Sequence, residues 1–126
     1  MKMLHTISAL IEVGAGLALL IFPSEFATLA AGAPLETPVA LTVARLGGSG
    51  LIALAVACWL ARDDWRSRAA LGLVVAMLFY NFAAVVVLSQ AGLGLHLHGP
   101  LLWPAVILHA IMAIWCGLSL RNPAKT

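Results

Sequence analysis

The chain has 126 residues, of which 63% are hydrophobic and only 10% are charged, and its formal net charge is +2. A soluble domain carries about 25% charged residues, so this composition excludes an ordinary soluble protein and indicates an integral membrane protein. No basic patch is interleaved with aromatic side chains, which excludes nucleic acid as a partner.

Four long apolar segments make up most of the chain and predict four membrane-spanning helices. A stretch of about 20 apolar residues spans a bilayer as a helix, whereas barrel strands would alternate over about 10 residues, and that alternation is absent. We therefore predict an all-α, four-transmembrane-helix bundle that forms a single integral membrane domain. The predicted helices cover approximately residues 4–22, 38–61, 65–89 and 101–120.

Residues that cap helices predict where several of these elements begin and end. Ser24 is predicted to cap a short interfacial helix in the first outer loop, from Glu25 to Ala31, which Gly32 closes. Thr37 is predicted to cap the second long helix. Asp63 or Asp64 is predicted to cap the third.

The basic residues outside the apolar segments predict the orientation of the chain. All six fall on one side of the membrane if the chain crosses it four times: Lys2, Arg62, Arg66, Arg68, Arg121 and Lys125. The positive-inside rule places that side in the cytoplasm. The prediction is a multi-pass protein of a bacterial inner (plasma) membrane with both termini inside.

Each apolar segment contains one costly polar residue in its interior, namely Glu12, Arg45, Asn81 or His109. A charge at membrane depth costs about 3 kcal/mol or more, so it usually has a partner or a function. At about 1.5 Å of rise per residue, Glu12 lies near the middle of its helix and the other three lie roughly 10 Å below the outer ends of theirs. We therefore expect one shared polar layer.

Arg45 cannot lose its proton, and Glu12 is the only acidic residue inside an apolar segment. These two facts predict an ion pair between Glu12 and Arg45, with Asn81 and His109 completing the hydrogen bonds. The predicted binding site also includes neighbours on the same helix faces: Ser8, Ser49 and Tyr80. The same layer would instead be structural if it only fixes how the helices pack.

Cysteine and the remaining histidines give weaker signals. Cys58 and Cys116 lie inside apolar segments without a metal-type spacing, so both are predicted to be small packing residues. His96 and His98 suit either a metal pair lacking further ligands or ordinary loop histidines. The sequence identifies no cofactor, and the different depths of His5 and His109 disfavour a haem held between two helices.

The string Ile11-Glu12-Val13-Gly14 in the first helix resembles the small multidrug resistance family. That resemblance implies a four-helix protein in which the glutamate exchanges protons for a cationic drug. The chain departs from the family in lacking its aromatic-glycine motif in the second helix and in having longer loops. The predicted Arg45 partner would also neutralise the glutamate.

A broader likeness covers nearly the whole chain. Phe22-Pro23 at the end of the first helix, Ala44-Arg45-Leu46-Gly47-Gly48 in the second and the arginine-rich inner loop are similar to small bacterial four-helix membrane proteins of the DoxX-like kind. Some proteins of that kind are quinone-linked redox subunits, and the resemblance transfers no catalytic residue to this chain.

Three functions are compatible with the sequence. The first is a buried polar site that binds or transports a small hydrophobic or weakly anionic molecule, such as a quinone, with Arg45 contacting the ligand and His109 relaying protons. The second is a structural or accessory subunit, in a homo-oligomer or a larger membrane complex. The third is a membrane-embedded quinone-linked redox or isomerase enzyme with Glu12 and His109 as acid and base.

Overall fold

The computed structural model describes residues 1–64 and 67–121, and within them the chain forms five helices. Four of these are long and apolar enough to cross a membrane. The prediction of an all-helical chain with four membrane-span candidates is therefore confirmed. The helices are α1 (Lys2–Ile21), α2 (Pro23–Ala31), α3 (Pro38–Ala61), α4 (Arg68–Leu93) and α5 (Leu102–Arg121).

The start of α3 is as predicted and the start of α4 is not. The Thr37 hydroxyl accepts a hydrogen bond from the Ala40 amide at 3.1 Å, which satisfies one free donor of the first turn of α3. At α4 the cap is Ser67, whose hydroxyl accepts from the Ala70 amide at 3.1 Å. The predicted aspartate cap is therefore wrong. Asp63 lies too far from the helix start and binds Lys2 instead, at 2.7 Å.

The short helix α2 forms, but Ser24 does not cap it. Pro23 occupies the first helical position, and the Ser24 hydroxyl instead accepts from the Leu35 amide at 3.1 Å. Gly32 closes α2 with φ of +82°, a left-handed conformation that favours glycine. Serine inside the first turn thus ties α2 to the segment leading into α3.

Helix α4 continues four residues past its predicted end at residue 89. Gly92, which the sequence placed in a loop, is helical and buried. A Cβ atom on Gly92 would lie 3.0 Å from Leu102 Cδ2 and 3.1 Å from Trp103 Cζ2. Gly92 therefore allows α4 to approach α5 closely, and it does not end the helix.

Helix α1 packs along α3, and α4 packs along α5. The closest approach of α1 and α3 is at Gly16 and Gly48. A Cβ on Gly16 would lie 2.8 Å from the Gly48 carbonyl oxygen, and one on Gly48 would lie 2.6 Å from the Gly16 carbonyl oxygen. Small residues at such a crossing allow the backbones of membrane helices to touch.

A cluster of buried apolar side chains joins the two helix pairs. It includes both cysteines, which are unpaired and buried, as expected of packing residues. The cluster consists of Met1, Leu4, Ala9, Cys58, Val74, Met77, Met112 and Cys116.

One end of the bundle, here called the charged end, carries the first residues of α1 and the loop after α3. Asp63 accepts from Lys2 at 2.7 Å and from Arg62 Nε at 3.3 Å. The guanidinium carbon of Arg62 lies 3.6 Å above the Trp59 ring. The charged end is the side that the sequence predicts to be cytoplasmic, and α2 lies at the opposite end.

Candidate functional site

Asn81 on α4 and His109 on α5 form the one side-chain hydrogen bond between long helices in the described residues. Asn81 Oδ1 lies 2.8 Å from His109 Nδ1, and Asn81 Nδ2 donates to the Met77 carbonyl oxygen at 2.8 Å. Asn81 is 2% exposed. The structure therefore brings these two predicted site residues together.

These two hydrogen bonds determine which ring nitrogen of His109 carries the proton. The Met77 carbonyl only accepts, so the Asn81 atom facing it must be the amide nitrogen. The Asn81 oxygen is then left for His109, and because it can only accept, His109 Nδ1 must donate. In the neutral ring, Nε2 carries the lone pair and can accept a proton or a hydrogen bond.

Glu12 and Tyr80 complete a group of four polar residues that we call the core polar site: Glu12, Tyr80, Asn81 and His109. The Tyr80 ring contacts His109 edge-on, with ring centroids 5.7 Å apart. Glu12 is buried on α1, where it is 3% exposed. The helices α1, α4 and α5 therefore each contribute polar side chains to the interior of the bundle.

The buried face of α1 continues from Glu12 toward the charged end through Ser8 and His5. All three are at most 3% exposed. Among the described residues, neither ring nitrogen of His5 nor the Ser8 hydroxyl has a hydrogen-bond partner. His5 was outside the predicted site, although its i, i+3, i+7 spacing with Ser8 and Glu12 marks one face of a helix. The polar face of α1 is thus longer than the predicted layer.

Arg45 and Ser49 do not join the core polar site. Both are exposed on α3, and the Ser49 hydroxyl bonds the Arg45 carbonyl of its own helix at 3.0 Å. Among the described residues, the ion pairs are those of Asp63 with Lys2 and Arg62. The predicted Glu12–Arg45 ion pair is therefore wrong.

The register of α1 against α3 explains why that pair does not form. The two helices run antiparallel and cross at Gly16 and Gly48. From this crossing, Arg45 is three residues toward one end and Glu12 is four residues toward the other. The separation along the bundle is roughly 10 Å at 1.5 Å per residue. Helix α3 also buries a different edge, formed by Gly48, Ala55 and Cys58.

A groove of about 550 Å³ lies between α3 and α4 near the charged end. Alanines line much of it, and Asp64 and Ser67 contribute polar groups. Leu73 lines this α3/α4 groove and also a narrow gap beside His5 and Ser8 that does not admit a water molecule. Leu73 therefore separates the groove from the polar face of α1.

Within residues 1–64 and 67–121, no group of three His, Cys, Asp or Glu side chains is placed to hold a metal ion. His96 is exposed in the loop before α5 and has φ of +53°, a conformation uncommon for a residue with a side chain. His98 is exposed in the same loop. A metal bound by these two histidines stays untested.

Comparisons with family profiles, with curated proteins and with solved structures find no match for this chain. The resemblances to the small multidrug resistance and DoxX-like families stay predictions.

Proposed function

We propose that this small membrane protein binds or transports a small hydrophobic molecule at the core polar site. The observation that carries the proposal is that Glu12 is buried in the bundle and has no ion-pair partner among the described residues. An unpaired carboxylate at this depth costs several kcal/mol, so a proton or a cationic ligand must neutralise it. This chemistry suits a neutral or cationic molecule.

The weakly anionic ligand that the sequence also suggested has less support. That part of the prediction depended on Arg45 contacting the anion, and Arg45 is exposed on α3. Burying a ligand anion beside Glu12 would place two negative charges together, which is unfavourable in a low-dielectric core.

Two probes of the same shape and opposite charge test the proposal. Tetraphenylphosphonium is a hydrophobic cation, and tetraphenylborate is the corresponding anion. In nanodiscs, corrected for empty nanodiscs, saturable binding of the cation should exceed that of the anion. Glu12→Gln should weaken cation binding at least tenfold, about 1.4 kcal/mol. The matched control His98→Ala, on the exposed loop, should bind like wild type. Stronger binding of the anion, or equal binding by Glu12→Gln and wild type, would contradict the proposal.

The alternative of an accessory subunit is favoured by the exposed face of α3. Arg45 lies there without an ion-pair partner in the described residues, and Gly47 and Gly50 have open space where a side chain would be. A charged group facing outward at this depth needs a lipid headgroup or a partner protein to compensate it. Cross-linking from an Arg45→Cys variant in membranes would identify an adjacent protein. Cross-linking only to lipid would contradict this alternative.

A further inference from the structure

The polar face of α1 ends at the core polar site and begins near the charged end. We propose that His5 and Ser8 form a gated path that carries protons from the charged end, through the α3/α4 groove, to Glu12. This inference deepens the proposed function and rests on it, because it supplies the proton that neutralises Glu12 when no cation is bound.

The first observation behind this path is that its polar atoms are buried without partners. His5 is 2% exposed and Ser8 is 1% exposed, and within residues 1–64 and 67–121 neither ring nitrogen nor the hydroxyl makes a hydrogen bond. A buried polar group without a partner costs about 1–3 kcal/mol. Residues that only hold helices together would be hydrogen-bonded, so these atoms are better explained by a partner that enters and leaves.

The second observation is the spacing. His5 to Ser8 is three residues and Ser8 to Glu12 is four, about 4.5 Å and 6 Å along the helix. Side chains at these spacings share one helix face, and because the polar atoms of His5 and Ser8 make no direct hydrogen bond within the described residues, transfer along the face uses a water molecule at each step. The gap beside His5 and Ser8 does not admit water in this structure, so the path is closed here.

The third observation is the side chain that closes the proton path. Leu73 borders the narrow gap and also the groove of about 550 Å³. Displacement of this half-buried side chain would join the two spaces and let water reach His5 and Ser8. Leu73 is therefore the gate, and Asp64 and Ser67 lie at the groove where protons enter.

Each transfer in the path is balanced. A hydronium ion in the groove gives its proton to one ring nitrogen of His5, and the other ring nitrogen releases one to water. The Ser8 hydroxyl receives that proton and passes on its own through a second water. The Glu12 carboxylate receives one proton and becomes a neutral carboxylic acid. Ring and hydroxyl rotation then restore the path.

Other titratable or charged groups lie on every element around the path, and they set its local field. They are the Met1 amino group before α1, Lys2 on α1, Cys58 on α3, Tyr80 on α4, His109 and Cys116 on α5, and Arg62, Asp63 and Asp64 after α3. None of them occupies the positions of His5 and Ser8 between the groove and Glu12, so variants at those two positions isolate the path.

A pH jump followed by infrared spectroscopy of wild-type protein in nanodiscs tests the proposal. The carboxyl band of Glu12 is identified by its loss in Glu12→Gln. Ser8→Ala and His5→Leu should slow its protonation on the order of tenfold or more, and Leu73→Ala should accelerate it. The control Thr6→Val, at a half-buried position whose hydroxyl bonds its own helix, should leave the rate unchanged.

Equal rates in wild type, Ser8→Ala and Leu73→Ala would overturn the path. Ser8→Ala should still bind tetraphenylphosphonium, because Ser8 is not part of the core polar site. Slowed protonation with intact binding supports the path, and unchanged protonation with intact binding rejects it while leaving the proposed function standing. If His5→Leu does not fold, the rates of Glu12 protonation in Ser8→Ala and Leu73→Ala still test the path.

Discussion

At the scale of single residues, the polar side chains of this bundle divide into two kinds. Asn81 and His109 satisfy each other across two helices, whereas His5 and Ser8 are buried without hydrogen-bond partners in the part of the chain that the structure describes. The first kind stabilises the fold and sets a tautomer. The second kind costs stability, which is typical of groups kept for function.

The tautomer of His109 is directly measurable. Because the Asn81 side-chain oxygen can only accept from it, neutral His109 should carry its proton on Nδ1. Ring nitrogen chemical shifts of ¹⁵N-histidine-labelled protein report the two forms. In Asn81→Leu, neutral His109 should no longer be restricted to the tautomer that carries its proton on Nδ1. A wild-type signal for His109 with the proton on Nε2 would contradict the hydrogen-bond assignment.

Ser8→Ala tests whether Ser8 contributes to folding. The buried hydroxyl has no partner, so its removal should leave the free energy of unfolding unchanged or raise it by up to about 1–3 kcal/mol. Ser67→Ala is the contrasting variant. Its hydroxyl caps α4, so its loss should cost about 1 kcal/mol. Denaturation in detergent compares the two, and a less stable Ser8→Ala protein would show that Ser8 has a structural partner.

At the scale of helices, the position of each apolar segment was predictable and its rotation was not. Length and hydropathy locate a span because only a helix satisfies its own backbone in lipid. Rotation is harder because lipid and protein core are both apolar, so α3 shows little contrast between its faces. Arg45 illustrates this: the sequence predicted that it pairs with Glu12, but it is exposed on α3 and lies roughly 10 Å from Glu12 along the bundle.

Gly48 and Gly47 provide a matched pair for the α1–α3 crossing. A methyl group on Gly48 would meet the Gly16 carbonyl oxygen at 2.6 Å, whereas one on Gly47 meets nothing within 4 Å. Gly48→Ala should therefore destabilise the protein by about 1–3 kcal/mol through overpacking. Gly47→Ala should be neutral or slightly stabilising, since alanine favours helix. Equal effects of the two substitutions on thermal unfolding in detergent would exclude this crossing.

At the scale of the whole molecule, the two helix pairs are held together by the apolar cluster and by contacts at the charged end. The charged end was partly predictable, because short loops with many charges seldom enter a membrane. The ion pair between Lys2 and Asp63 was not predictable from the sequence, since this pair depends on how closely the start of α1 approaches the loop after α3.

The Lys2–Asp63 contact predicts a dependence of stability on acid. The hydrogen bond from Lys2 holds the pKa of Asp63 below its usual range. A carboxyl with a lowered pKa in the folded state stabilises above its unfolded pKa of about 3.9 and loses that effect as pH falls through the folded value. Asp63→Asn should therefore narrow the difference in melting temperature between neutral and acidic pH. The effect should be small and should shrink in high salt, because Asp63 is exposed. The prediction would be contradicted if the melting temperature of Asp63→Asn fell as much between neutral and acidic pH as that of wild type.

In the proposed function, Glu12 belongs to the ligand-binding site in the bundle core and Arg45 does not. The most direct measurement is saturable binding of tetraphenylphosphonium by Glu12→Gln and by Arg45→Leu, each in nanodiscs and each checked for folding. Glu12→Gln should lose at least tenfold in affinity, and Arg45→Leu should bind like wild type. An equal loss of binding in the two variants would contradict the account and restore Arg45 to the site.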